Sequence, residues 1–270
     1  MEKHVLARAC RAFVACCLAA AFFPVVVTGG GLKEARLTQS NGEVTLNSTD
    51  ESGPHQGLPD AALPRGAGLT TGANSRAELS FNNHVIVRLS ANAVFNFKKD
   101  LELTQGAILI QAPGGAKGKV HAGDVAVDVT NAIAVIEYQA PAFKFLVLEG
   151  TVRLYRPSHL GDSILVRAGQ MIFGSTKDAL ADPVDFEIER FVRTCPLIRG
   201  FGPLPSEKLL AAASARQQEE KSKKGLIDTN LVIFGGGSNV SVVNSVKKTE
   251  VAASAQNSAS KPRPSTEEQP

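Results

Sequence analysis

Tryptophan is absent from this chain of 270 residues, tyrosine occurs twice, and aromatic residues make up only 6% of the whole. Any core must therefore be largely aliphatic, and at 43% hydrophobic residues the chain can supply a sizeable one in one or two domains. Charge of one sign is also missing. Twenty-nine Lys and Arg stand against 26 Asp and Glu, and residues 32–205 carry a net charge of −1. So balanced a body lacks the clustered cations that phosphate backbones require, which argues against a nucleic-acid partner. Of the four cysteines, Cys10, Cys16 and Cys17 lie close to the N-terminus, leaving Cys195 alone in the rest of the chain. An internal disulfide is thus not expected. Also missing are G-x-S-x-G, H-E-x-x-H, a P-loop and C-x-x-C, the short signatures of common catalytic and metal sites.

The one long apolar run, from Ala12 to Val27, follows Lys3, Arg8 and Arg11. A basic start ahead of a run too short for a comfortable membrane span of about 20 residues reads as an export signal over residues 1–31. Ala19 and Ala21 offer one cleavage site, before Phe22, and Val27 with Gly29 offers a later one. An uncleaved anchor is the alternative, and it would be the chain's only contact with a membrane.

Residues 37–173 have a period of two, broken by Gly and Pro, which predicts a series of short strands. In AELSFNNHVIVRL, Ala77, Leu79 and Phe81 alternate with polar residues, as do Val85, Val87 and Leu89. Asn82 and Asn83 between them suit a two-residue hairpin, because Asn tolerates positive φ. In GDVAVDV, Val125, Val127 and Val129 share one face, opposite a wetter one carrying Asp124 and Asp128. FKFLVL (143–148) is apolar on both faces and so should be covered on both. Four segments align on a glycine followed by an apolar strand: NGEVTL at Gly42, QGAILI at Gly106, EGTVRL at Gly150 and AGQMIF at Gly169. Their unequal spacing excludes a strict solenoid repeat and marks one strand-and-turn device used several times, with the glycines in structural roles.

After residue 173 the period lengthens. Asp182 and Pro183 make a good helix start, with Val184, Ile188, Phe191 and Val192 on one face. A Pro/Gly connector, CPLIRGFGPLP, leads to Ser206, which can cap a second helix ending near Gly225, so that residues 182–224 form a helical extension. Residues 225–246 contain a candidate hairpin, and 247–270 have the composition of a disordered tail.

Few residues invite a chemical role. His121, Asp124 and His159 could ligate a metal, but without ligand spacing they read as surface loop residues. Glu137 and Glu149 could be paired as glycosidase carboxylates, but nothing marks a substrate pocket and Glu149 precedes a turn glycine. GGAKGK (114–119) lacks the Ser or Thr of a phosphate loop and reads as a hairpin turn. Cys195 fits a small buried residue at a helix end. No catalytic, cofactor-binding or metal-binding residue is assigned.

The ordered segments ALPRGAGLTTG, RAELSF with VRL, LELTQGAILIQ, FLVLEGTVRLY and ILVRAGQMIF, within residues 37–174, resemble the FecR-type periplasmic signalling domain. The resemblance implies a mainly β fold, a sandwich or solenoid-like stack of strands, followed here by two α-helices and a tail. Members similar to the ferric-citrate regulator sit in the inner membrane, sense an outer-membrane transporter and control a sigma factor through a cytoplasmic segment. Here only about 11 residues precede the apolar run, which implies that the anti-sigma segment is lacking. Thr130-Asn131 stands where many members have Gly-Thr, and Asn82-Asn83 replaces the usual hairpin Asp-Gly or Asn-Gly. The resemblance carries over no active site. The implied protein is a periplasmic or secreted non-enzyme that binds an envelope protein or surface ligand without a cofactor. Two alternatives are a membrane-anchored sensor and a carbohydrate- or metal-binding β protein.

Overall fold

The computed structural model describes residues 32–47 and 53–224; the export signal, the candidate hairpin and the tail lie outside them. The first eight strands are β1 (Glu34–Asn41), β2 (Val44–Asn47), β3 (Pro54–Gln56), β4 (Ala62–Pro64), β5 (Gly68–Thr71), β6 (Arg76–Phe81), β7 (Ile86–Leu89) and β8 (Val94–Phe97). Two long strands follow, β9 (Leu101–Ala122) and β10 (Val125–Gln139). Then come β11 (Ala142–Glu149), β12 (Thr151–Tyr155), β13 (Ser163–Arg167), β14 (Gln170–Ser175) and β15 (Val184–Asp185). The helices are α1 (Ile188–Thr194), α2 (Pro196–Arg199) and α3 (Glu207–Lys224). The fold is mainly β, and every strand pairing among the described residues is antiparallel.

One layer runs β15-β14-β11-β10-β9-β7-β6-β1-β4. The other is built at the two ends of the long strands: β3, β2, β5 and β8 add to the start of β9, while β12 and β13 add to the start of β10. Both layers empty their apolar faces into one cluster, in which Leu37, Leu79, Val87, Ile110 and Phe145 meet Leu46, Leu69, Phe95, Val127 and Leu154. Each such side chain, fully buried, stabilises the fold by roughly 1.5–3 kcal/mol.

The long strands change layers at GGAKGK. Ala112 registers with Ala132 and Lys117 with Thr130, so residues 113–116 face Asn131 alone. This is a bulge inside one continuous strand, and the expected hairpin turn is corrected accordingly. Gly114, Gly115 and Asn131 all have positive φ, and the Gly115 amide donates to Asn131 Oδ1 at 2.6 Å. Extra residues on one strand bend it, which is what passing from one layer to the other requires.

The β6–β7 hairpin also differs in detail. The Phe81 amide bonds to the Val85 carbonyl across a three-residue loop, and it is His84 that takes positive φ (65°). Asn82 and Asn83 instead use their side chains, on the Lys33 and Val85 amides.

FKFLVL is covered on both faces. Phe143, Phe145 and Val147 enter the main core, while Leu146 and Leu148 join a second cluster with Ile133, Val135, Met171 and the helix residues Ile188, Phe191, Leu197 and Leu210. The helical segment begins later than its sequence suggests. Val184 and Asp185 pair with Met171 and Gln170, and the Phe186 amide donates to Gly169 O at 2.8 Å, so strand pairing claims the backbone that Asp182 would have capped. The helix on that layer starts at Ile188, and three helical pieces replace the two expected.

Candidate functional site

The four repeat glycines all adopt positive φ: 78° at Gly42, 94° at Gly106, 84° at Gly150 and 81° at Gly169. The closest backbone contact is at Gly150, where a Cβ would stand 2.5 Å from the Asn131 carbonyl oxygen and 2.9 Å from Ala132 Cβ. The turn between β11 and β12 thus packs backbone against β10 at Asn131, opposite the bulge of β9. These glycines shape turns and present no chemistry.

The residues considered for catalysis or metal binding are not brought together as a site. Glu137 is ion-paired with Lys144 beside the helices, whereas Glu149 is placed against Ile133 and bonds Arg216 of α3 at 3.5 Å. Four residues of strand separate Ile133 from Glu137, about 13 Å, which is too far for a carboxylate pair flanking one glycosidic bond. Glu149 is also less exposed than its turn position suggests, because α3 passes over it and leaves its side chain 16% accessible.

His121 joins Asp100 at 3.2 Å, while Asp124 and His159 meet elsewhere at 3.4 Å, so the three divide between two clusters. Among the described residues no three such ligands converge. Asp124 accepts from the Ser158 hydroxyl and from Arg156, which hold its carboxyl below the usual range against the opposing effect of partial burial. His159 Nδ1 faces both Ser158 Oγ and Asp124. A nucleophile-activating relay needs the two ring nitrogens to serve different partners, so this cluster closes a loop rather than activating a hydroxyl. Cys195 links α1 to α2 and is 5% exposed; burial pushes its thiol up to about 11, which makes it inert at neutral pH.

A cleft of about 430 Å³ opens where residues 200–202 cross the outer face of β1 and β6. Its floor is prepared by a buried ion pair that the alternating pattern conceals. Glu78 and Arg88 lie opposite one another in the β6–β7 ladder, with Arg88 Nε 2.7 Å from Glu78 Oε2. The remaining guanidinium nitrogens donate to Leu197 O (3.3 Å) and Gly202 O (2.6 Å), fastening the connector to the sheet, and Phe201 lies over the guanidinium at 4.8 Å. Beside the pair, a bulge in β1 at Thr38 directs both the Thr38 hydroxyl and the Gln39 amide to Glu78 Oε1. Thr38, Gln39, Ser40, Asn41 and Arg76 form the polar wall, facing Pro59 and Phe201.

Nothing in the sequence motifs marked this cleft. The available signal was the register itself: once Ala77 is set against Leu89, Glu78 must face Arg88, and opposite charges directly across an antiparallel pair attract.

The FecR protein family model matches residues 67–153, which span β5 to β12 and include Gly106 and Gly150. No curated protein sequence matches the chain. Two crystal structures of a candidate anti-sigma factor from Parabacteroides distasonis ATCC 8503, at 1.65 and 2.50 Å resolution, are similar at 12% identity and a TM-score of 0.39. Each comparison covers 46% of this chain, and 64% and 63% of those chains respectively. At that TM-score the likeness has no bearing on what this chain binds.

Proposed function

We propose that this chain is an exported, non-enzymatic binding module that serves signalling or surface assembly at a bacterial envelope, capturing its protein or ligand partner at the cleft over β1 and β6. The observation that carries this reading is the FecR family match to residues 67–153. The cleft lies beside that region, roofed by a connector that Arg88 holds in place. A connector fastened to the sheet suits recognition, since its backbone has little ordering entropy left to lose on binding.

Photo-crosslinkers placed at Ser40, in the cleft, and at exposed Lys98 test the reading in intact envelopes. A discrete adduct from Ser40 and none from Lys98 is expected. Absence of any Ser40 adduct rejects capture at the cleft. N-terminal sequencing of the envelope protein addresses export, with a start between Phe22 and Leu32 expected. An intact Met1 form recovered from membranes would instead favour an anchored sensor working with a separate sigma-factor regulator.

A further inference from the structure

We infer that the cleft recognises a carboxylate, with Arg76 as the group that binds it. This inference rests on the proposed binding role and names the chemistry of its ligand. Arg76 begins β6 and reaches the cleft with its guanidinium 6.0 Å from the Phe201 ring centre. Among the described residues it joins no ion pair and no side-chain hydrogen bond. The nearest acid in the ladder is unavailable, because Glu78 is occupied by Arg88, Thr38 and Gln39. Among the cleft-lining residues one cation is therefore uncompensated, and no carboxylate is among them.

The neighbours of Arg76 are suited to an acid flanked by polar groups. Asn41 is its register partner in β1, and Ser40 precedes it; their side chains make no hydrogen bond to other described residues. Gly200 lies so close to Arg76 that a Cβ there would stand 3.3 Å from Arg76 Cδ, so the bare backbone leaves room for the guanidinium. A planar guanidinium meets a carboxylate through two parallel hydrogen bonds, and a neighbouring hydroxyl and amide can bond the atoms that carry the acid. One free cation balances one carboxylate. A phosphate dianion would leave charge uncompensated in the cleft, and a nucleic-acid backbone would need several such cations. The Phe201 ring already has two guanidinium groups near its centre, Arg88 at 4.8 Å and Arg76 at 6.0 Å, so it lines the cleft beside the cation that would meet the acid. A cleft of about 430 Å³ admits a ligand of one or two residues, so the acid could come from a peptide terminus or from a uronic sugar.

Calorimetric titration of the full mature chain separates these sources. The probes are acetyl-Ala-Ala as free acid and as amide, and digalacturonate as acid and as methyl ester. At least one acid should bind saturably and at least tenfold more tightly than its neutral counterpart, and the source that does so identifies the ligand class. Arg76→Gln should erase the difference between acid and neutral probe, and Arg76→Lys should restore part of it. If neither acid binds better than its neutral form to the unaltered protein, carboxylate recognition is wrong, whatever the variants do. An unchanged preference in a folded Arg76→Gln protein overturns the role of Arg76. Should the acids fail while the Ser40 adduct persists, the binding module stands and only its ligand chemistry falls.

Discussion

Replacing Arg88 with Met tests whether the buried pair fastens the helical layer to the sheet. Arg88 is 1% exposed and the Glu78 side chain 9%. The substitution keeps most of the apolar stem but removes the 2.7 Å bond to Glu78, both carbonyl contacts to the connector and the guanidinium beneath Phe201. Glu78 would then be a buried carboxylate supported only by Thr38 and Gln39. Removing one partner of a buried pair costs about 3–5 kcal/mol. With a urea dependence of about 2 kcal/mol/M, the unfolding midpoint should fall by about 1.5–2.5 M. In thermal unfolding of a domain this size, the same loss lowers Tm by about 6–20 °C. The double variant Arg88→Met/Glu78→Leu should recover at least half of the loss, because two apolar residues of similar volume leave no orphaned charge. Urea titration followed by circular dichroism reads all three proteins. A loss below about 1 kcal/mol in the single variant, or a double variant no more stable than the single one, would refute the reasoning.

Three further outcomes are expected. Gly150→Val should lower Tm clearly, since strain at φ of 84° costs about 1–3 kcal/mol before the clash with the Asn131 carbonyl is relieved, whereas Glu149→Gln should cost at most about 1 kcal/mol through its contact with Arg216. A folded Glu149→Gln protein that loses the Ser40 adduct would make that turn functional. Asp124 has its carboxyl lowered from the ordinary value of 3.8, so its stabilising effect is present above that pH and is lost as pH falls through the lower folded-state value; the Tm gap between wild type and Asp124→Asn should be present at pH 6 and shrink below pH 3.8. A gap that does not change between pH 6 and pH 3 would contradict the Ser158 and Arg156 contacts. Cys195, with its thiol pushed up to about 11 and buried, should resist alkylation by iodoacetamide at pH 8 until urea unfolds the chain; rapid labelling of the folded protein would show that the α1–α2 junction opens.

The strands were legible because burial on one side imposes a period of two. Ala77, Leu79, Phe81, Val87 and Leu89 all lie in the core, and the doubly apolar FKFLVL lies between two apolar clusters. What the pattern could not reveal was where the backbone would bend. A glycine pair in GGAKGK is compatible with a hairpin or a bulge, and only the partner decides: β10 continues past Asn131, so β9 must continue too. Competition between elements explains the helix boundary in the same way. Asp182-Pro183 is a sound local start, but the open edge of β14 offers hydrogen bonds to Val184 and Asp185, and the long-range pairing prevails over the local cap.

The cleft was hidden for a different reason. Its lining is gathered from residues 38–41, Pro59, Arg76 and residues 200–202, which in sequence look like the wet side of two strands, a loop and a Gly-rich connector. Alternation correctly assigns Glu78 and Arg88 to the outer face of the sheet, but it treats the outer face as solvent. The connector makes it an interior. Its exposed carbonyls need donors once they leave water, and Arg88 supplies two of them while its charge is matched by Glu78 in the next strand. That arrangement uses all of Glu78's capacity to neutralise a cation, and Arg76, two residues before Glu78 in β6, is left without an acidic partner inside the cleft. The stabilising pair and the vacant cation thus have a common cause. Freeing Glu78 by removing Arg88 should let it compete for Arg76, so Arg88→Met should weaken acid binding even under conditions where the variant remains folded.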